Sequence, residues 1–367
     1  MKALFITEKY QDASHKELGL SNTSHNIVGS WQCAEYGSYE QVFMSPDPGD
    51  IHSSDQIVKA LEEKDYDFAL VAGNYSFYPD KWGIRKLLDK GKIIGMMWWD
   101  TIMESDWETA KGFADIGMQQ LIFDNNVHHH NCHCLETPQD TRIFYRDANQ
   151  VKDIDVSFIG SIHHDRQEQI TFLQRHVKCS YLFNGGRHIG QGNIPLHDYA
   201  SIHRRSKICL NFQLGRGRQQ RKGRSYEIAA SGGFMLSNCP GIISEWWTDG
   251  HEYISFANHS DLVAKVKRYL HDENERARIA ENAYNRFMRE YSPRVTWSKI
   301  IRYLGVPQGG VISDCEKVVV SLIENGIEMK DSKGAVLKKQ GDKFVYTHEF
   351  TDHLEAVKTF LRHAGVK

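Results

Sequence analysis

The densest chemistry in the chain lies in one stretch, Lys222-Gly223-Arg224-Ser225-Tyr226-Glu227-Ile228-Ala229-Ala230-Ser231-Gly232-Gly233-Phe234-Met235-Leu236. A basic, glycine-containing loop leads into a short helix, and a Gly-Gly turn leads on into a strand. A helix start offers free N–H groups and a favourable dipole to an anion, and Arg224 beside it adds a fixed charge suited to phosphate. Glu227 falls in the first turn, where a carboxylate can accept from paired hydroxyls such as those of a ribose. Arg216, Arg218, Arg221, Lys222 and Arg224 place five cations within nine positions. Such a run can neutralise a diphosphate and make it a better leaving group. A solvated mobile loop is the ordinary alternative, and a nucleic-acid surface is a third.

Three further groups carry candidate chemistry. Met96-Met97-Trp98-Trp99-Asp100-Thr101 ends an apolar run, and sites in parallel sheets gather at the carboxyl ends of strands. Asp100 there can orient or deprotonate a hydroxyl, or simply cap the next helix, while the tryptophans offer flat faces to a sugar. Gly73-Asn74-Tyr75 ends the preceding run in the same way. His128-His129-His130-Asn131-Cys132-His133-Cys134 has the nitrogen and sulfur ligands that suit zinc. Adjacent residues seldom converge on one tetrahedral centre, however, and no second Cys/His pair stands at a usual spacing, so the tract is read as incidental. His163-His164 follows a glycine turn, and Phe287, Tyr291 and Trp297 have the spacing of core packing.

These groups need elements to hold them. Apolar runs at Ala3–Thr7, Gln41–Met44, Phe68–Ala72, Ile93–Trp99 and Gln120–Phe123 alternate with helical spacing at Ser54–Glu63 and Asp80–Lys90. The pattern restarts with Val156–Ile159, Cys179–Phe183, Ile208–Phe212 and Phe234–Leu236. Helical stretches at Arg166–Arg175, Ser225–Ser231, Leu262–Tyr269 and Asn274–Glu290 follow. Alternation of this kind means crossover units and two mostly parallel, buried sheets. The expected division is 1–150, 151–305, whose last helix can pack back on the first domain, and a small appended α/β module at 306–367, whose two short strands flank Gln340-Gly341-Asp342.

The spacing of Arg224-Ser225-Tyr226-Glu227, Ala230-Ser231-Gly232-Gly233-Phe234-Met235-Leu236 and Pro240-Gly241 resembles the signature of CgeB-like glycosyltransferases of the broad group 1 class. Asp155-Val156-Ser157-Phe158-Ile159-Gly160-Ser161 with Arg166, Ser206 to Asn211, and Gly250-His251-Glu252-Tyr253 extend the likeness over about 155–300. The resemblance implies a GT-B fold, two Rossmann-like domains facing a cleft, with acceptor on the first and donor nucleotide on the second. It implies a nucleoside diphosphate sugar as donor and a glycan or other hydroxyl as acceptor, with no cofactor or catalytic metal required. Carried over residue by residue, it assigns Glu227 to the ribose and Gly160, Ser161, Arg166, Arg224, Tyr226, Gly232 and Gly233 to the donor. The catalytic assignment is Asp100. Group 1 enzymes carry another Glu eight positions before the ribose glutamate; here that position is Gln219, which weakens the implied retention of configuration because an amide is neither acid nor base.

Composition narrows the remaining choices. In 367 residues Lys+Arg is 45 and Asp+Glu 47, a net charge of -2. That balance disfavours a dedicated nucleic-acid coat, though not nucleic acid as an acceptor. The longest apolar run, Ile93–Trp99, is far short of the roughly 20 residues that cross a bilayer. Seven scattered cysteines fit a reducing cytoplasm, and no leader-like segment opens the chain. Two rivals to transfer remain at this stage. One is a nucleotide-sugar epimerase of the same fold, the other a non-catalytic nucleotide-sugar-binding subunit.

Overall fold

The computed structural model describes residues 1–10, 16, 19–72, 78–99, 104–123, 128–162, 164–184, 194–215, 218–219, 221–238, 240–307, 329–330, 336–340, 343–346 and 348–350. Residues 1–306 form one compact unit and 307–367 another.

The first half of the larger unit is a six-stranded parallel sheet. Its strands are β1 (Lys2–Glu8), β2 (Ser38–Met44), β3 (Phe68–Ala72), β4 (Ile94–Trp98), β5 (Gln119–Ile122) and β6 (Cys132–Cys134), in the order β2-β1-β3-β4-β5-β6. Between them run α1 (Asn22–Ser24), which passes through a π-helical turn at His25–Gly29 into α2 (Ser30–Ala34), then α3 (Ser54–Glu63), α4 (Lys81–Asp89) and α5 (Glu104–Asp115). Successive side chains of each strand enter opposite layers. Ala3, Phe5, Phe68 and Leu70 join one core, and Leu4, Ile6, Ala69 and Val71 the other. Burial on both faces is why these strands read as unbroken apolar runs.

The second half repeats the plan with five parallel strands. These are β7 (Ile154–Ile159), β8 (Tyr181–Asn184), β9 (Ser206–Asn211), β12 (Met235–Ser237) and β13 (Ile254–Ser255), ordered β13-β12-β9-β7-β8. A small antiparallel pair, β10 (Leu214–Gly215) and β11 (Arg218–Gln219), follows β9. The helices are α6 (His164–His176), α7 (Leu196–Arg205), α8 (Arg224–Ala230), α9 (Pro240–Ile243), α10 (His259–His271), α11 (Glu273–Arg286) and α12 (Pro293–Tyr303). In the smaller unit, β14 (Met329–Lys330), β15 (Val336–Gln340), β16 (Lys343–Tyr346) and β17 (His348–Phe350) form an antiparallel sheet. The helices expected there lie outside the described residues. Among the described residues no helix is long and apolar enough to cross a membrane.

Helix α12 leaves the second half and packs on the first. Trp297 is fully buried among Phe5, Trp31 and Phe68, edge-on to Trp31 at 4.9 Å, and its indole N–H donates to Ser30 Oγ at 2.9 Å. Pro293 at the first helical position fixes where this helix starts. Truncating a buried aromatic costs about 3–5 kcal/mol, so Trp297→Ala should shift the urea unfolding midpoint of the 1–306 unit strongly downward. Trp297→Phe, which keeps most of the buried surface, should shift it much less.

Candidate functional site

The carboxyl ends of the two sheets face one another across the Arg221 side chain. Arg221 precedes α8, yet its Nε donates 3.2 Å to the carbonyl of Phe123, just past β5, and Nη2 donates to that of Leu135, just past β6. The guanidinium is buried over the Trp246 ring at 4.0 Å. One member of the basic run is therefore a clasp between sheets rather than a phosphate ligand. Arg216 lies outside the described residues, as do Asp100, Gly73-Asn74-Tyr75 and His163, and the side chains of Arg218 and Gln219 are not described.

Next to this clasp lies the corner expected to hold the donor. Strand β7 ends at Gly160, whose φ of 141° favours glycine and whose N–H donates 2.9 Å to the Asn184 carbonyl. A Cβ on Gly160 would stand 2.1 Å from Arg224 Nη2, so the missing side chain lets the guanidinium lie over the turn. Arg224 Nε donates 2.9 Å to the Ile159 carbonyl, the guanidinium carbon stands 4.7 Å from the Phe158 ring centre, and buried Nη1 has no partner among the described residues. One turn along α8, Glu227 accepts from the hydroxyl of Tyr199 on α7. Arg224 acts on that same hydroxyl.

Burial raises the Glu227 carboxyl above the usual range, while the Tyr199 hydrogen bond and the Arg224 charge oppose the rise. Burial first, and the Glu227 charge second, keep the Tyr199 hydroxyl protonated far above its ordinary value. It is therefore a fixed donor. His203, 4.6 Å from the Tyr199 ring, is pushed down to about 3 by burial and by the Arg224, Lys152 and Arg204 charges. The corner thus joins the Arg224 cation, the Glu227 carboxyl group and a neutral imidazole.

Other residues expected at the donor have different work. Arg166 is buried and donates to the carbonyls of Ser161 at 2.6 Å and Phe212 at 3.3 Å. It positions the Gly160-Ser161 turn. Tyr226, expected at the donor, is instead fully buried among Trp246, Trp247 and Tyr291. Gly232 and Gly233, also expected there, lie in the turn that ends α8. Gly232, at φ 67°, donates to Ala229 at 3.0 Å and Gly233 to Ile228 at 2.9 Å, the paired bonds of a helix C-cap that needs a left-handed residue. A helix alternates inward and outward faces, so a motif written on its sequence mixes packing positions with site positions.

On the first sheet, sequence reasoning missed His25. Ser21 ties the start of its helix to the end of β1 by donating from its hydroxyl to the Glu8 carbonyl at 3.1 Å and from its N–H to the Lys9 carbonyl at 2.9 Å. Asp140 lies flat on that helix four positions after His25, where a Cβ at Gly29 would stand 1.9 Å from its Oδ2. Burial holds His25 below the usual histidine range, Asp140 pulls it up, and His197 and Arg142 push it down. His197 belongs to α7 of the second half, so His25 faces the gap between the halves. The partners of both His25 and Tyr199 are distant in the chain, and no local motif marks them. Within the His/Cys tract, Cys132 to Cys134 form edge strand β6, and burial pushes the Cys132 thiol up to about 11.

A cavity of about 950 Å³ between α6 and α10, lined by Phe172, Asn238, Ser255 and Asn258, includes neither Arg224 nor Glu227. Charge and geometry, rather than volume, single out the Arg224–Glu227 corner.

Residues 139–302 match the family described as glycosyl transferase-like. No curated protein sequence matches the chain. Among solved structures, sucrose-phosphate synthase from Thermosynechococcus elongatus is 12% identical, with 83% of this chain and 99% of that one aligned at a TM-score of 0.59. Anabaena HepE, in complex with UDP and glucose, is 10% identical over 83% of this chain and 99% of that one, TM-score 0.55. A DNA modifying β-glucosyltransferase, studied with and without its substrate uridine diphosphoglucose, is 13% identical over 83% and 100%, TM-score 0.50. The fold is GT-B, as the motif resemblance had implied. The family match covers the second half of the larger unit, and the likeness to the solved structures is one of fold.

Glu227→Gln keeps the size and the Tyr199 contact but removes the charge. Hydrogen bonds to charged groups contribute about 1.5–3 kcal/mol, so nucleoside diphosphate affinity should fall at least tenfold by calorimetry with the melting temperature held. An unchanged Kd would remove Glu227 from the ribose.

Proposed function

We propose that the chain moves a sugar from a nucleoside diphosphate sugar to a hydroxyl acceptor. The observation that carries this reading is the Arg224–Tyr199–Glu227 arrangement beside the Gly160 turn, inside the glycosyl transferase-like domain. Ribose hydroxyls donate to Glu227, whose orientation Tyr199 fixes. The diphosphate lies along the Gly160-Ser161 turn, with Arg224 answering the charge that grows as the sugar–phosphate bond breaks. Helix α8 spans only Arg224–Ala230, so the arginine charge carries more of this than the helix dipole does. The acceptor oxygen bonds to the anomeric carbon as the nucleoside diphosphate departs, and its proton passes to a group on the first-sheet side. We assign that role to Asp100, as the motif resemblance implies, or to His25, which lies near α7 of the other half, with no cofactor in the step. HepE, solved with UDP and glucose, and the β-glucosyltransferase, whose substrate is uridine diphosphoglucose, make uridine the first base to try. Seven cysteines scattered along the chain support a reducing, cytoplasmic location.

A thermal-shift panel of UDP, GDP, dTDP, CDP and their sugars identifies the base, since a ligand bound only by the native state raises its stability. Product analysis then separates transfer from epimerisation, and absence of any donor turnover would leave a binding subunit. Losing a general base costs about 10²–10⁴-fold in kcat. Asp100→Asn or His25→Gln should therefore lower kcat sharply with donor Kd unchanged. A rise in acceptor KM alone would make the residue a positioning group.

A pH dependence follows from Glu227. Its carboxyl titrates above the usual range, so acidification protonates it earlier than an exposed glutamate. Donor affinity should fall as pH drops through that raised value, and Glu227→Gln should flatten this limb. Equal pH profiles for the two proteins would contradict the ribose role.

A further inference from the structure

We propose that Asp115, His129 and His130 form a binding site for one divalent transition-metal ion of the zinc class. Both imidazole Nε2 atoms approach the same carboxylate oxygen, Asp115 Oδ1, each at 3.3 Å. The three ligand atoms all lie within 4.8 Å of one another. Ligands about 2.0–2.1 Å from a tetrahedral ion stand about 3.3–3.4 Å apart, which is the separation of each imidazole from Asp115. A hydrogen bond between such atoms is shorter, about 2.7–3.2 Å.

The second nitrogen of His129 strengthens the case. His129 Nδ1 lies 3.1 Å from the His130 carbonyl. A carbonyl only accepts, so Nδ1–H donates to it and the ring is held with Nε2 toward the Asp115 carboxylate. Donation of the remote ring N–H to a backbone carbonyl is also how metal-bound histidines are commonly held.

The loop is anchored before any ion arrives. Asn131 adopts φ 56°, its amide donates 2.9 Å to the carbonyl of Ala114, next to Asp115, and Gln119 donates 3.2 Å to its side-chain oxygen. This sets both histidines over the end of α5. The other side chains of the tract are engaged elsewhere: His133 stacks on Tyr303 at 4.3 Å and pairs with Gln119 Oε1 at 2.8 Å, and Cys132 packs against the core of the first sheet. The sequence reading set this tract aside because its own members do not converge. The third ligand stands fourteen positions before the first histidine, at the end of another element. The site sits at the amino ends of β5 and β6, on the edge of the sheet opposite the donor corner. An ion there ties the loop before the edge strand to α5.

The test uses full-length, tag-free protein stripped with a chelator. Zinc titration by calorimetry should give one ion per chain, and cobalt should give the visible absorption of a low-symmetry site. Asp115→Asn, His129→Ala and His130→Ala should each weaken zinc at least tenfold. His128→Ala, which alters the exposed neighbour of the same run, should leave affinity unchanged. Circular dichroism of the metal-free variants should match the parent, so that a loss of binding reports ligands and not unfolding. Zinc should raise the melting temperature of the parent but not of His130→Ala. Absence of stoichiometric zinc binding, unchanged affinity in Asp115→Asn, or equal losses in His128→Ala and His130→Ala would overturn the assignment.

Discussion

The arrangement of the two sheets depends on one buried stretch of backbone, Leu135 to Asp140, between the halves. Arg221 reaches it from the second half, donating to the Leu135 carbonyl, and Gly223 leaves only enough room for Thr137, whose Oγ1 would be 3.3 Å from a Cβ. Helix α12 holds it through Glu136, which is 1% exposed and accepts from Thr296 at 2.9 Å and from Lys299 at 2.6 Å. Asp140 grips Arg142 with both oxygens and rests against Gly29. Buried carboxylates are tolerable only when paired and hydrogen-bonded, so these contacts are strongly directional. They fix how the carboxyl edges oppose each other, and with them the spacing between donor and acceptor.

The donor corner solves a related electrostatic problem. A carboxyl group beside a diphosphate site suffers burial and, when the donor arrives, repulsion. Arg224 answers both, bonding to the strand end before the Gly160-Ser161 turn proposed for the phosphates, while the Tyr199 hydroxyl keeps one carboxylate oxygen of Glu227 occupied. The other oxygen is left to accept from a ligand. The same burial that raises the carboxyl strengthens each hydrogen bond it accepts.

Sequence revealed what depends on local order and hid what depends on distance. Phe68–Ala72 and Ser54–Glu63 match observed elements end to end, because a doubly buried strand and a capped amphipathic helix write their periods into adjacent residues. The Arg224 to Gly233 motif, read for the donor, also contains packing and capping positions. Tyr226 faces the aromatic core, and the glycines cap the helix. Edge strand β6 was hidden because its three residues, Cys132-His133-Cys134, look like ligands and not like a strand. Helix α12 brings Trp297 against Trp31 across more than 260 positions, a contact that no window of sequence contains.

Parallel sheets give the two edges of this protein different tasks. All strands of a sheet end on one side, so loops at that side converge and can be shaped for a ligand. They must also admit substrate, which limits how tightly they can be packed. The amino edge has no such duty and can be stiffened without obstructing turnover. Asp115, His129 and His130 occupy that edge, beside the shortest strand of the first sheet, where β6 has a neighbour on only one side. Fixing β6 there also steadies its far end, because Leu135, the residue after the strand, accepts the Arg221 clasp. A three-residue strand is thus held at its start by the loop over α5 and at its end by the opposing half, which ties amino-edge order to the geometry of the cleft.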